Sequence, residues 1–175
     1  MKTDEMLLSS YSAGRSLVVD LGTCNGKSAA IMAQNAERVI TVDLFEDFEK
    51  IVNEGSRAHY KKVFESSPHY YEHVKLALSC YSNITVVKDF TYEYAKAQND
   101  TSVDLVFIDA DHSFLGTSKD FNAWFPKVKQ GGIFIFHDAN CESWDVGMFC
   151  EHLISSNSKV ELIVTSEVAK VFKKI

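Results

Sequence analysis

Two short runs carry most of the side chains able to do chemistry: Asp109-Ala110-Asp111-His112 and His137-Asp138-Ala139-Asn140. Each directly follows an apolar stretch, Val103-Asp104-Leu105-Val106-Phe107-Ile108 and Gly132-Ile133-Phe134-Ile135-Phe136 respectively. As parallel strands, these stretches would bring Asp109, Asp111, His112, His137, Asp138 and Asn140 together at the carboxyl edge of a sheet, where ligand crevices form. Carboxylates converging without basic partners repel one another, and a divalent cation is the simplest relief. Hard oxygen donors suit Mg²⁺, Ca²⁺ or Mn²⁺, and a histidine tilts the choice toward Mn²⁺ or another transition metal. Some of these side chains have plain alternative roles. Asp111 can cap a following helix, His112 can pack on Phe114, and His137 can hydrogen-bond the backbone. Asp109 and Asp138 resist such readings, because an unpaired carboxylate at the end of a buried strand is costly.

A second constellation lies upstream. Asp20-Leu21-Gly22-Thr23-Cys24-Asn25-Gly26-Lys27-Ser28 links an apolar run to an Ala-rich one. Gly22 permits a tight turn, and Gly26 would let a ligand approach the backbone. A helix starting there offers free N–H groups to an anion. The G-x-x-x-G spacing lacks the third glycine of the dinucleotide fingerprint. Asp43 follows 21 residues after Gly22, at the end of Val39-Ile40-Thr41-Val42. A carboxylate there can accept hydrogen bonds from both hydroxyls of a ribose.

The elements that must position these groups are legible as an alternation. Strand-like runs cover Ser16–Leu21, Arg38–Asp43, Ile84–Val87, Val103–Asp109 and Gly132–Asp138. Several are apolar throughout, as in parallel strands buried on both faces. Helical stretches fall at Lys27–Ala36, Tyr92–Gln98, Ser118–Val128 (ending before Gly131-Gly132) and Val146–Ser155. Val160–Thr165 and Val168–Phe172 are separated only by Ser166-Glu167, too little for a helix, so they form an antiparallel hairpin. The reading is an α/β, Rossmann-like doubly wound, mostly parallel seven-stranded sheet with an antiparallel last strand. Residues 1–175 form one domain, with an insert at about 46–82. Phe48, Ile51, Val52, Gly55, His59 and Val63 mark one helix there, and Tyr70, Val74, Ala77, Leu78 and Tyr81 a second after Ser66-Ser67-Pro68. His69, Tyr70, Tyr71 and His73 could stack on a ring or sugar, or simply pack. Trp144 could line an acceptor pocket or pack.

Composition sets the outer limits. At 175 residues, 46% hydrophobic and 24% charged, the chain can bury a sizeable core. A net charge of -6 argues against general affinity for nucleic-acid phosphates. Cys24, Cys80, Cys141 and Cys150 form no C-x-x-C pair and read as reduced thiols. The acidic N-terminus lacks the apolar segment of a signal peptide, and no run approaches the length of a membrane span. The expectation is a soluble, cytoplasmic protein with no membrane and no nucleic-acid partner; a homodimer is allowed.

Val18-Val19-Asp20-Leu21-Gly22-Thr23-x-x-Gly26, Val42-Asp43 and the terminal hairpin together resemble the class I S-adenosylmethionine-dependent methyltransferases, over about residues 15–175. The resemblance implies that Asp20, Gly22, Thr23, Asn25, Gly26, Asp43, Leu44, Asp89, Phe90 and Asp109 surround the cofactor, with Lys88-Asp89-Phe90 holding the adenine. Thr23-Cys24-Asn25 replaces the additional glycine of many members. Phe107–Phe114 followed by Gly131-Gly132-x-x-x-x-His137-Asp138 is similar to the metal-dependent small-molecule and sugar O-methyltransferases, and to macrolide-sugar methyltransferases and cephalosporin hydroxylase-like relatives. That likeness implies Asp109, His137 and Asp138 as ligands of Mg²⁺ or Mn²⁺ and His112 as general base. The function expected is methyl transfer to a small hydroxylated molecule or sugar. A non-catalytic binding module or accessory subunit, a nicotinamide-dependent oxidoreductase and a hydroxylase-like activity are the alternatives.

Overall fold

The computed structural model describes residues 3–51, 54–65, 67, 69–156 and 159–175. Its strands are β1 (Val18–Leu21), β2 (Val39–Asp43), β3 (Ile84–Lys88), β4 (Val103–Ile108), β5 (Val128–His137), β6 (Val160–Thr165) and β7 (Ala169–Lys174). Its helices are α1 (Thr3–Ser12), α2 (Lys27–Ala33), α3 (Glu54–Phe64), α4 (Tyr70–Ala77), α5 (Thr91–Tyr94), α6 (Phe114–Trp124) and α7 (Val146–Ser155). The strands form one sheet in the order β3-β2-β1-β4-β5-β7-β6. Only β7 runs against the others, paired antiparallel to β5 and to β6.

The unbroken apolar runs follow from helices on both faces. Val19, Leu21, Ile40, Val42, Val106, Ile108, Phe134 and Phe136 face a core closed by Phe121 and Trp124 of α6 and Phe149 of α7. The alternate residues Val18, Val39, Leu105, Phe107, Ile133 and Ile135 face Leu8 of α1, Ala29 and Met32 of α2, Phe64 of α3 and Val74 of α4. The central strands β1, β2 and β4 and the second half of β5 therefore have no solvent side, whereas the edge strand β6 is largely exposed. Trp124 is wholly buried, and its indole N–H donates to the Thr91 carbonyl at 3.0 Å. Among the described residues, no helix is long and apolar enough to cross a membrane.

Several boundaries differ from the sequence reading. The helix expected at Ser118–Val128 begins earlier, at Phe114, because Ser113 caps it by accepting the Gly116 N–H at 3.0 Å. It ends at Trp124, since Pro126 cannot donate to a further turn. Val128 then already pairs with Val103, and Gly131, at φ 76°, lies inside β5 rather than closing a helix. The Ala-rich helix stops at Ala33. In the insert, Phe48 and Lys50 belong to a 3-10 segment, Phe45–Lys50, and α3 starts only at Glu54. Val52, Ser66, Pro68 and the side chains of His59 and Val63 lie outside the described residues. The second helix, α4, ends at Ala77 rather than reaching Tyr81; Val74 within it and Leu78 at its cap are buried. Helix α1 is an addition that the sequence reading missed.

Candidate functional site

The strand order reverses between β1 and β4, with β2 on one side and β5 on the other. A crevice opens at the carboxyl ends of these strands, the switch point where ligands bind in such sheets. Gly22 makes the crevice floor. It has φ 99°, and a Cβ there would stand 2.1 Å from the Asp109 carbonyl oxygen, so only glycine lets the two strand ends pass. The Asp109 N–H donates to the Leu21 carbonyl at 2.8 Å, fixing the approach. Gly26 does something other than admit a ligand. Its missing side chain leaves space for Leu78, which would lie 2.9 Å from a Cβ.

Two chambers share this crevice. The larger, of about 530 Å³, is lined by Asp43, Leu44, Phe90, Thr91, Ala110, Asp120 and Tyr60, among others. The smaller, of about 190 Å³, is lined by Gly22, Cys24, Asp43, Tyr60, Phe64, Asp109, His112, His137 and Asp138. Asp43 and Tyr60 belong to both and mark their junction. Of the residues expected around a cofactor, Gly22, Asp43, Leu44, Phe90 and Asp109 therefore line the chambers. Asp20, Thr23, Asn25, Gly26 and Asp89 do not, and each has internal work. Asp20 is fully buried and accepts from Thr41 Oγ1 at 2.6 Å and Ser28 Oγ at 3.1 Å. Thr23 pairs with Thr41 at 2.6 Å. Asn25 Oδ1 accepts the Lys27 N–H at 3.1 Å, at the entry to α2. Asp89 accepts the Phe90 N–H at 2.7 Å, holding that ring's loop.

Asp43 is held in place by backbone donors. Its oxygens accept the Cys24 N–H at 2.9 Å and the Phe45 N–H at 2.8 Å. Burial raises its pKa to about 6 against these backbone donors. Each oxygen retains a lone pair for a hydroxyl donor. Leu44, Phe90 and Ala110 give the large chamber the apolar walls a purine needs. The residues present thus fit an adenosine. Asp20 Oδ1, behind the chamber wall, is buried without a hydrogen-bond partner among the described residues.

At the other end, β4 and β5 deliver the acid–histidine cluster. His112 Nε2 is 3.2 Å from both Asp109 Oδ1 and Asp138 Oδ2. His137 Nδ1 is 3.2 Å from Asp109 Oδ1 and 3.5 Å from Asp138 Oδ1. Asp138 adopts the left-handed conformation, φ 54°, which Asp tolerates better than most residues. Without a cation the histidines supply the compensating charge that the sequence reading did not credit them with. Burial opposes protonation of both rings, yet Asp109 and Asp138 outweigh it and raise His112 to about 9 and His137 to about 10. The histidines in turn hold the Asp138 carboxyl below its usual range. Burial pushes the Asp109 carboxyl up, but the two histidines bring it below its usual value.

A cation also fits. One ligand atom from each of Asp109, His137 and Asp138 lies within 4.8 Å of the others. Octahedral neighbours bound at about 2.1 Å to one ion stand about 3 Å apart, close to the shorter separations here. His137 Nδ1 is buried and makes no aligned hydrogen bond, and a cation that displaced its proton would meet a lone pair there.

The remaining expectations divide. Asp111 does not enter the cluster but accepts from the Ser113 N–H at 3.0 Å and Ser56 Oγ at 2.6 Å, joining α3 to the β4 loop. Asn140 turns away and donates to the Ser166 carbonyl at 2.6 Å. Trp144 packs on His112, ring centroids 4.8 Å apart. Tyr70 and Tyr71 pack on Phe64 and Phe45, and His69 and His73 are exposed. Sequence reasoning missed Tyr60 and Asp120, whose residue types and positions carry no distinguishing signal. Asp120 is 1% exposed, accepts the Thr91 hydroxyl at 2.5 Å, and is raised by burial to about 7.

The chain resembles several known proteins. It is 27% identical over 146 residues to the uncharacterized protein R132 of Acanthamoeba polyphaga mimivirus, covering 80% of this chain; it spans about 59% of that curated relative's length. An rRNA methylase from Streptococcus thermophilus superposes with a TM-score of 0.66 at 13% identity, covering 98% of this chain and 94% of that one. The N-methyltransferase NodS from Bradyrhizobium japonicum, in complex with S-adenosylhomocysteine, gives 0.65 at 13% identity, covering 98% and 84%. At such identities the two structures establish a shared fold and nothing about the acceptor. A sequence profile described as a methyltransferase domain matches residues 19–139, from β1 to the turn after β5. That span is more than half of the chain and contains the glycine loop, Asp43 and the β4–β5 cluster, so the chain belongs to this methyltransferase domain family and has the class I S-adenosylmethionine-dependent methyltransferase fold.

Proposed function

We propose that the protein transfers a methyl group from S-adenosylmethionine to a hydroxyl of a small molecule or sugar, with a divalent cation held by Asp109, His137 and Asp138. The observation that carries this reading is the junction of the two chambers: an adenosine-sized cavity opens past Asp43 onto the acid–histidine cluster. S-adenosylmethionine supplies an electrophilic methyl and departs as a neutral thioether. A cation at the cluster would lower the acceptor hydroxyl's pKa. The rest falls to the protein. Asp43 accepts from the ribose, and Leu44, Phe90 and Ala110 flank the base. Tyr60 and Phe64 of α3 line the small chamber and limit water there. Orientation of acceptor, methyl and sulfur in line is the largest contribution such a site can make. His112 takes the acceptor proton at Nε2. It can do so only when positive charge other than its own proton lies between Asp109 and Asp138, which links base function to cation binding.

The test is transfer of isotope-labelled methyl from S-adenosylmethionine to a panel of phenols, catechols, sugars and amines, with Mn²⁺, Mg²⁺ or chelator. The reading expects cation-dependent product that Asp109→Ala abolishes while cofactor binding survives. Product formed equally in chelator and by Asp109→Ala would refute the cation's part. Transfer to an amine alone would refute O-methylation.

A further inference from the structure

Among the described residues lining the large chamber, two acids are buried: Asp43 and Asp120, 2% and 1% exposed. The cofactor reading gives the ribose to Asp43 and leaves Asp120 without a part. Asp120 lies on α6 and accepts the Thr91 hydroxyl on Oδ1 at 2.5 Å. Thr91 also lines the chamber, and its carbonyl accepts the Trp124 indole N–H at 3.0 Å. Two positions one turn apart on α6 therefore hold the same residue. Lys119, next to Asp120 in sequence, lies over the Tyr92 ring, 5.4 Å from its centroid. The single hydroxyl proton of Thr91 is committed to Asp120, which leaves lone pairs for a ligand, and a carboxylate is acceptor-only as well. The pair thus presents acceptors in a chamber whose other walls include the apolar Leu44, Phe90 and Ala110. Asp89, the acid expected to hold the adenine, does not line the chamber and accepts the Phe90 N–H instead.

We propose that Asp120 and Thr91 read the base: their acceptor oxygens take the 6-amino group of adenine and turn away a 6-oxo purine. In adenosine the 6-amino group is the base's only N–H donor, so it is the one group that can answer such an edge. A buried carboxylate served by a hydroxyl is under-solvated, and a ligand N–H relieves it. A 6-oxo purine brings a carbonyl oxygen to the same place, where acceptor meets acceptor and neither is satisfied. Helix α6 thereby takes over the part that the family likeness gives to Asp89. The inference rests on the S-adenosylmethionine reading above.

The test compares S-adenosylhomocysteine with its deaminated analogue S-inosylhomocysteine, each titrated into the full chain by calorimetry at pH 8. Burial raises Asp120 to about 7 against the Thr91 hydroxyl, so at pH 8 the acid is ionised and the hydroxyl must donate. The parent should bind the 6-oxo analogue about 10–100-fold more weakly, the cost of leaving buried acceptors unpaired. Asp120→Asn keeps an oxygen toward Thr91 and turns an N–H toward the base. That variant should bind the two ligands within about threefold of each other or prefer the 6-oxo form, a reversal that a merely structural acid would not produce. Thr91→Val removes one acceptor and should lower the parent's preference at least about threefold. Asp89→Asn should change the preference at most about twofold, less than one hydrogen bond. Equal binding of both ligands by the parent, the parent's full preference in Asp120→Asn or Thr91→Val, or loss of the preference in Asp89→Asn would overturn the inference and leave the cofactor reading standing. A parent chain that binds neither ligand would overturn the cofactor reading, and the inference with it.

Discussion

Asp120 offers a clean test of the electrostatics inside the large chamber. It is 1% exposed, and burial raises its pKa from 3.8 to about 7. A carboxyl whose folded pKa exceeds its unfolded value binds more protons in the folded state, so stability falls as pH rises between the two values. At about 1.4 kcal/mol per unit, holding the charge costs about 4 kcal/mol at pH 8 and under about 2 kcal/mol at pH 5. Asp120→Asn removes this term and keeps an oxygen for the Thr91 hydroxyl. The variant should therefore lose about 2–3 kcal/mol less stability than the parent between pH 5 and pH 8, and be the more stable protein at pH 8. Asp20 and Asp43, raised by burial to about 7 and about 6, leave a residual slope of the same sign in both proteins. Urea unfolding followed by circular dichroism at the two pH values gives the four free energies needed. Parallel pH dependences, or a variant less stable than the parent at pH 8, would refute the reasoning.

Other substitutions probe the frame and the chemistry. Gly22→Ala meets the Asp109 carbonyl at 2.1 Å and a φ of 99°, and should cost about 2–5 kcal/mol in unfolding experiments, with loss of cofactor binding. Trp124→Ala opens a cavity in the core and strands the Thr91 carbonyl, and should cost about 3–5 kcal/mol by denaturant titration. His112→Ala should bind S-adenosylhomocysteine as the parent does while losing about 10²–10⁴ in turnover on a competent acceptor, measured by product mass spectrometry.

The strands and the cluster were legible for the same reason. A strand with no solvent side must be apolar along its length, and the acid that ends it stands out. Asp43, Asp109 and Asp138 each interrupt such a run, and parallel pairing of β4 with β5 brings the last two together. The histidines were legible as cluster members but not as the acids' charge partners, since sequence spacing gives no distance. Helix α1 was hidden because Leu8 alone among its residues is a fully buried apolar side chain, too little to mark a period. Tyr60 and Asp120 sit on ordinary helix faces, and only the folded crevice distinguishes them. Gly26 misled because a glycine beside a loop reads as room for a ligand, whereas here Leu78 of the insert takes the room.

Titration of the parent chain and of Asp43→Ala with S-adenosylhomocysteine by calorimetry tests the central claim most directly. The account predicts saturable one-to-one binding by the parent and at least about tenfold weaker binding by the variant, with the fold intact, since two ribose hydrogen bonds to a charged acceptor are lost. No binding by the parent, or equal binding by both proteins, would contradict it.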